Sequence, residues 1–415
     1  MTPSSSSNRP RSSRSRVACS DAEQIEIDVQ AYRRKIRRQR DRRSCQCPDE
    51  PLTRVAPLPE KLIPQGMLGT SVFVDVLIAK SQGHTPVERW LLEWRQNDLD
   101  LAQGTVFDGL RRIEPLLQPI PQAILQRTAA AGFSPADETR WLMFAESQGK
   151  ASQPWWMWVF LGADAIGDRL DPTRSHDVPE PHFGADAKSV LMVDRDSASK
   201  AMDQVKPGHL VLAFCGAHVR RDFVEVGQGS EELAPWALTW LRRIRDVSRW
   251  QRLRRQHSDD PAGEPFTVAD AGLRQAWSDR QTPAASELAQ GESLRTPCRK
   301  VLASLQVHGE GLTRFVDDLR LPLDNNRSER AARSVALGRQ NDSGSAATWS
   351  GTLAAAMFSL IATLSLNGIN PRKWLTWYLT ACVGCEVPSD VSPDLPWNLS
   401  PEDRAELSLR PPTTS

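Results

Sequence analysis

The segment that decides the fold is SVLMVDRD, residues 189–196, in which an apolar run ends abruptly at Asp194. A helical stretch, SASKAMDQV, and a second apolar run, HLVLAFCGA at residues 209–217, follow it. Buried strands that alternate with helices predict parallel pairing in an α/β sheet. An acidic residue that closes such a strand faces the edge of the sheet at which α/β proteins bind their ligands.

Three more strand-like runs precede this segment: ADETRWLMFAE, PWWMWVFLGA and AIGDRLDP. Gly, Gln, Pro and Asp residues separate them, a pattern typical of an antiparallel meander. Asp137 lies at the opening of the first run, so we expect Asp137 and Asp194 to project from adjacent strands toward one point. Carboxylates there would suit a hard cation. Taken singly, Asp137 is more commonly a turn residue and Asp194 more commonly a helix N-cap.

A third acid, Glu329, lies in LPLDNNRSERAARSVALGRQN, residues 321–341. A local explanation exists, because Asn326 as the N-cap and Glu329 at the third helical position would form a capping box. The carboxylate also suits the positive end of the helix dipole. The local sequence leaves open whether Glu329 caps a helix or takes part in chemistry.

The composition indicates a globular protein of more than one domain: 415 residues, 40% hydrophobic and 25% charged. The net charge of +1 does not point to a polyanionic partner. Two basic runs do, RRKIRRQRDRR at residues 33–43 and the arginine-rich stretch of residues 242–255. The alternative for both runs is a solvated helix or loop surface.

The 7 cysteines are odd in number and scattered, which predicts free thiols and a cytoplasmic protein. Cys19, Cys45 and Cys47 offer three thiolates, whereas structural zinc takes four ligands, so we expect a degenerate or absent zinc site. The apolar runs are about half the length of a membrane span, and no secretory signal is visible. We therefore expect no membrane association.

Two helices are predicted between the N-terminal basic run and the first strand-like run, in HTPVERWLLEWRQ and VFDGLRRIEPLL. Thr85 and Thr105 are the expected N-caps, with Pro86 at the first helical position of the first helix. A helix-turn-helix of this kind can dock in a major groove. It is also the commonest unit of helical domains, and we favour that structural interpretation.

Five segments together resemble the transposases of the insertion-sequence-66 family: KLIPQGMLG, ADETRWL, VDRDSASKAM, CGAHVRRDF and LDNNRSERAARSVALGRQN. The resemblance extends over residues 28–407 and implies a D-D-E enzyme with an RNase H-like fold. Residue by residue, it places the catalytic, metal-binding acids at Asp137, Asp194 and Glu329.

The resemblance also implies the activity: metal-dependent cleavage and strand transfer at the ends of a bacterial insertion sequence. It implies two Mg²⁺ ions, with Mn²⁺ able to substitute, and double-stranded DNA as the partner. It further implies a homo-oligomer on DNA, accessory proteins of the element, and association with the nucleoid when DNA is bound. The residues expected to contact DNA are Arg33, Arg34, Lys35, Arg37, Arg38, Arg220, Arg330, Arg333 and Arg339.

Several positions depart from the family pattern. Pro135 stands where a His is usual and Gly216 where a Trp is usual, and RDSASK lacks two tyrosines. None of these changes removes a predicted metal ligand. The three intact acids favour the active enzyme, while the lost positions leave open an alternative function, a catalytically impaired DNA-binding remnant that acts as a repressor or a partner subunit.

The spacing of the three acids completes the predicted architecture. The stretch between Asp194 and Glu329 is too long for one crossover, and we expect a helical insertion in it that lies on the DNA or forms a solvent-facing cap. The predicted organisation is a disordered Ser/Arg-rich tail (1–24), a basic segment like a degenerate zinc finger (25–60), a helical DNA-binding or linker domain (61–132), the first part of an RNase H-like mixed-sheet core (133–234), the helical insertion (235–320), the last part of the core with the Glu329 helix (321–380) and a C-terminal tail (381–415).

Overall fold

The structure is a computed structural model that describes residues 29–45, 49, 51–144, 153–175, 177–183, 189–195, 209–385 and 387–409. The strands are β1 Arg40–Arg42, β2 Thr53–Val55, β3 Phe133–Met143, β4 Gln153–Leu161, β5 Ile166–Asp171, β6 Ser189–Val193 and β7 Leu210–Phe214. The helices are α1 Thr70–Ser81, α2 Val87–Gln96, α3 Gln103–Leu117, α4 Pro119–Ala129, α5 Pro179–Phe183, α6 Gly216–Gly229, α7 Ala234–Gln256, α8 Glu264–Leu288, α9 Thr296–Val307, α10 Gly309–Asp317, α11 Asn326–Asp342, α12 Thr348–Leu366, α13 Pro371–Ala381 and α14 Pro401–Leu407.

The centre of the protein is a five-stranded mixed sheet in the order β5-β4-β3-β6-β7. Strands β3, β4 and β5 form the expected antiparallel meander, and β3, β6 and β7 pair in parallel. The prediction of a mixed α/β sheet is therefore confirmed. The helix predicted after β6 lies outside the described residues.

Helices cover both faces of the sheet. On one face, Trp141 of β3 and Val159 of β4 pack with Val335 of α11 and Phe358 of α12. On the other, apolar residues of β6 and β7 pack against α6 to α10. The apolar runs of these strands are continuous because both of their faces are buried.

Helices α1 to α4 share a separate apolar cluster with α12 and α13, in which Trp90, Ile113 and Trp374 are almost fully buried. Both helices of the predicted helix-turn-helix pair bury their apolar side there, as the structural interpretation requires. The expected caps are wrong, because Pro86 and Ala102 occupy the N-cap positions of α2 and α3. The start of each helix is set by the packing of its apolar side, because no threonine hydroxyl caps either helix.

The predicted helical insertion forms α7 to α10. Trp240, Ile244 and Val247 are buried along one stripe of α7. Arg254 of the same helix is also buried, and its Nη1 donates to Asp270 and to the carbonyl of Val316. One arginine of the second basic run is thus a core residue, and the prediction that the whole run faces DNA is wrong for it.

Helix α12 is long and apolar enough to cross a bilayer, with 61% of its most apolar window buried in the protein. Its polar residues face β5: the Oγ1 of Thr363 donates to the Ile166 carbonyl, and Ser359 bonds to both the backbone and the carboxyl of Asp168. This environment is that of a core helix.

Asp168 is buried, and burial raises its pKa to about 8 while the Ser359 hydroxyl opposes the rise. The folded state therefore keeps a proton that the unfolded chain loses near pH ~4. Stability should fall as pH rises from about 4 to about 8, and Asp168→Asn should remove that part of the fall. Melting temperature against pH measures this, with Asp108→Asn on the exposed side of α3 as the control. Superimposable profiles for Asp168→Asn and the parent would contradict the assignment.

Candidate active site

Asp137 lies inside β3, at the point where this strand leaves β6. The parallel pairing ends at Pro135 opposite Met192, while Asp137 still pairs with Val159 of β4. It is the fifth residue of the strand, so the expectation that it opens the strand is wrong, as is the turn alternative.

Asp194 directly follows Val193, the last residue of β6, as the sequence predicts. Its side chain is 45% exposed, and its Oδ1 lies 3.0 Å from Nδ1 of His218 in the first turn of α6. The same Nδ1 lies 3.9 Å from Oε1 of Glu329. His218 therefore stands between two acids that are far apart in the sequence.

Glu329 lies in the first part of α11, and its amide donates to the carbonyl of Asn325, the N-cap. The predicted capping box is wrong, because Asn326 is already helical and no side chain caps this helix. The Asn325 side chain instead donates to the Ala136 carbonyl of β3 at 2.9 Å. This hydrogen bond holds the start of α11 next to Asp137. The Glu329 side chain is not used in a cap and can face the other acids.

The far end of α11 is fastened to β3 as well. After Ser343, at φ 61°, and Gly344, at φ 130°, the amide of Ser345 donates to the Leu142 carbonyl at 2.9 Å. A Cβ on Gly344 would lie 2.1 Å from that carbonyl oxygen, so only glycine allows this approach. Arg339 adds a hydrogen bond to the Arg140 carbonyl at 2.8 Å.

The charges of Asp194 and Glu329 act on Asp137. Burial is the largest cause that raises the pKa of Asp137 to about 7, and the charges of Asp194, Glu138 and Glu329 add to it. An amide hydrogen bond from Glu138 works in the opposite direction. Negative charges repel one another in this half-buried site. A bound cation would remove that repulsion and stabilise the ionised carboxylates.

Two residues of this site, Cys215 and His218, received no role from the sequence. Cys215 is the N-cap of α6 and is buried, and its Sγ accepts a hydrogen bond from the Asn325 amide. The thiol, the His218 ring and the Glu329 carboxylate place ligand atoms within 4.8 Å of one another. The signal in the sequence was the C-x-x-H spacing directly after a buried strand.

The predicted DNA-contacting residues fall into two groups. Arg220, Arg330 and Arg333 are exposed on α6 and α11, near the acids. Arg339 is partly buried and donates to Thr139 and Arg140, so its role in this structure is to hold α11 on β3. The N-terminal residues Arg33, Arg34, Lys35, Arg37 and Arg38 are all exposed in a segment without regular structure.

The cysteines proposed for a degenerate zinc site are only partly described. Cys45 is exposed, and Cys19 and Cys47 lie outside the described residues. The zinc expectation at these cysteines therefore stays a prediction.

An open groove of about 450 Å³ lies next to the site, between α7 and the loop that leads into α11. Arg252 and Arg255 line one side, and Pro322, Leu323 and Asp324 the other. Exposed arginines continue from the groove along one side of α7, at spacings of three and four residues: Arg242, Arg245, Arg249, Arg252 and Arg255.

The structure explains why residue 216 is a glycine in this chain, where the family pattern has a Trp. Its amide donates to the Leu323 carbonyl at 2.9 Å, and a Cβ at this position would lie 2.8 Å from the same oxygen. The loop before α11 therefore packs directly on the backbone of Gly216. A Trp here would require that loop to sit elsewhere.

Comparisons with known proteins find similar chains in Sinorhizobium fredii (strain NBRC 101917 / NGR234). The uncharacterized protein y4jD is 28% identical over 398 residues, which cover 92% of this chain and 76% of y4jD. The uncharacterized proteins y4hP and y4qI are 25% and 24% identical, over 77% and 83% of this chain. The chain spans 60% of the length of y4hP and 65% of that of y4qI.

The family model described as Transposase IS66 family matches residues 65–353 of this chain. The match begins before α1 and ends within α12, so it contains the whole mixed sheet and all three acids. This chain belongs to the IS66 family of transposases.

Proposed function

We propose that this chain is a D-D-E transposase that cleaves and joins DNA strands at the ends of an insertion sequence. The observation that carries the proposal is the proximity of Asp137, Asp194 and Glu329 where β3 leaves β6, despite their separation in the chain. A five-stranded sheet with a three-stranded meander, two parallel strands and an acid-bearing helix fits an RNase H-like core.

The residues fit a pair of divalent cations. Burial raises the pKa of Asp137, and the charges of neighbouring carboxylates, whose repulsion a cation would remove, add to the rise. Oε1 of Glu329 is buried without a hydrogen bond among the described residues. Carboxylate oxygens are the ligands that Mg²⁺ and Mn²⁺ prefer. Two such ions, when bound, activate the attacking oxygen and stabilise the leaving oxygen of a phosphodiester.

The reaction has two steps that differ in the nucleophile. Water attacks the phosphorus at the element's end, the P–O3′ bond breaks, and a 3′-hydroxyl is released. That hydroxyl then attacks a phosphorus of the target strand and displaces its 3′-oxygen. Arg330 and Arg333, exposed beside Glu329, would hold the phosphates on either side of the scissile bond.

Double-stranded DNA is the proposed partner, because the exposed arginines of α7 extend away from the acids along one side of a helix. Joining two element ends calls for more than one copy of the chain, so we propose a homo-oligomer on DNA, with accessory proteins of the element. We place the protein in the cytoplasm, associated with the nucleoid when it binds DNA.

Mg²⁺ should raise the melting temperature of the DNA-free protein, because it binds a site that exists only in the folded state. At a concentration about 100 times Kd the gain is about 2.7 kcal/mol. Glu329→Gln should lose most of this gain, since it removes one negative ligand. Monovalent salt at equal ionic strength is the control. An equal Mg²⁺ effect in both proteins would argue against Glu329 as a ligand.

Glu329→Gln should also abolish Mg²⁺-dependent cleavage of a duplex that carries the element's end. Folding and DNA binding should persist, because the residue neither caps α11 nor makes a hydrogen bond through Oε1 to any described residue. Circular dichroism, DNA binding and strand cleavage are measured together. Glu93→Gln on the exposed side of α2 is the matched control.

Two results of that experiment contradict the proposal. Cleavage at the parental rate by Glu329→Gln would exclude a catalytic role for this carboxylate. A parent protein that binds DNA but does not cleave it would instead support the alternative function, a DNA-binding remnant acting as a repressor or partner subunit.

DNA binding by α7 should depend on salt. Exchange of Arg242, Arg245, Arg249 and Arg252 for Gln should reduce the slope of log K against log salt by about 0.9 for each phosphate that is no longer neutralised. A variant with Lys at the same positions keeps the charges and should keep the slope. Arg254 is left unchanged because it is buried in the core.

The N-terminal basic run is tested in the same way, with residues 33, 34, 35, 37 and 38 changed to Gln. Fluorescence anisotropy with labelled duplex DNA over a range of salt concentrations gives both slopes. Unchanged affinity and slope in both Gln variants would mean that these runs are solvated surfaces.

A further inference from the structure

The cluster of Cys215, His218 and Glu329 is not explained by magnesium chemistry. Their ligand atoms lie within 4.8 Å of one another, and Oδ1 of Asp194 is 3.0 Å from the His218 Nδ1. Mg²⁺ takes oxygen ligands and gains nothing from a thiol or an imidazole. The fold nevertheless brings a sulfur and a nitrogen to the proposed catalytic carboxylates.

We propose that Cys215, His218 and Glu329 bind Zn²⁺, with Asp194 as the fourth ligand, and that this site overlaps the proposed magnesium site. Thiolate, imidazole and carboxylate are the ligands of protein zinc sites, and four of them complete a tetrahedron. The zinc proposal shares two residues with the proposed function but does not require the chain to cleave DNA.

The backbone positions the two additional ligands. Cys215 follows β7 and is the N-cap of α6, and His218 lies in the first turn of the same helix. The Cys215 Sγ accepts backbone hydrogen bonds from Ala217, His218 and Asn325. Such bonds orient a ligand, as the outer shell of a metal site does.

The distances suit a tetrahedral ion. Zinc bonds to nitrogen, oxygen and sulfur put neighbouring ligand atoms about 3.3–3.7 Å apart. Here Nδ1 of His218 is 3.0 Å from Oδ1 of Asp194 and 3.9 Å from Oε1 of Glu329, and the Cys215 sulfur lies within 4.8 Å of the His218 and Glu329 ligand atoms. Side-chain movements of about 1 Å would bring these atoms to tetrahedral spacing. Oε1 of Glu329 is buried and makes no hydrogen bond within the described part of the chain, whereas Nδ1 of His218 contacts Oδ1 of Asp194 at 3.0 Å. A cation beside Oε1 would compensate the cost of burying this oxygen without a hydrogen bond.

Zinc bound here would occupy Glu329 and Asp194, which the proposed magnesium pair also needs. Zn²⁺ would therefore inhibit Mg²⁺-dependent cleavage, and the inhibition would weaken as the Mg²⁺ concentration rises. Cys215 supplies the selectivity, because it adds a ligand for zinc and none for magnesium.

The first test uses the full chain without DNA and with Co²⁺ as a spectroscopic substitute for Zn²⁺. The parent should show the charge-transfer absorption of a cobalt–thiolate bond, and added Zn²⁺ should remove it. Cys215→Ser should lack the absorption and bind Zn²⁺ at least about 100-fold more weakly, since loss of a ligand should exceed the ~10–100-fold cost of losing an outer-shell partner. Cys298→Ser, at another buried cysteine, should behave as the parent.

A second variant covers the case in which Cys215→Ser does not fold. His218→Asn should keep the thiolate absorption but bind Zn²⁺ more weakly by a similar factor, with folding checked by circular dichroism. A parent without the cobalt–thiolate absorption, or with equal absorption in Cys215→Ser, would overturn the site.

The overlap with the magnesium site is tested by cleavage assays at fixed Mg²⁺ and increasing Zn²⁺. We expect the Zn²⁺ concentration for half-inhibition to rise at least about tenfold in Cys215→Ser, in line with its weaker binding. Zinc that binds through Cys215 without inhibiting cleavage would overturn the overlap. A parent that binds zinc but cleaves no DNA would contradict the proposed function and leave the zinc site supported by its own spectrum.

Discussion

The candidate site depends on one buried residue, Asn325. Its side chain donates to the Ala136 carbonyl in β3, its amide donates to Sγ of Cys215, and its carbonyl accepts the amide of Glu329. Three segments that are far apart in the chain are joined at this point. The distance between Glu329 and the acids of the sheet is set by these hydrogen bonds, because the start of α11 has no side-chain cap.

The site concentrates negative charge where water is partly excluded. Burial and neighbouring carboxylates raise the pKa of Asp137, which means that the folded protein resists full ionisation of its own site. Such local instability is typical of positions at which a ligand completes the structure. The apolar clusters on both faces of the sheet, and the hydrogen bonds at the two ends of α11, offset the free-energy cost of this buried charge.

Arginine illustrates how one residue type serves different purposes in this protein. Arg254 is buried and bridges α7 to the end of α10, and Arg339 holds α11 against β3. Arg252 of the same run as Arg254 faces an open groove. A count of basic residues in either segment treats all of them alike. Only the side of the helix on which each residue falls, and what packs there, separates a core residue from a candidate phosphate contact.

The sequence by itself determined the sheet and its mixed topology, because apolar runs and turn residues specify strands locally. It also determined that Asp194 ends a strand, since the end of an apolar run can be located in the sequence. The family resemblance named Glu329 as a candidate site residue. The capping prediction failed because the Asn325 side chain bonds to a strand 189 residues away, which no local rule includes. The C-x-x-H spacing after β7 is visible in the sequence, but the tertiary structure decided that His218 lies between Asp194 and Glu329. Distances across the sheet edge depend on how helices dock, and docking is a property of the whole packed chain.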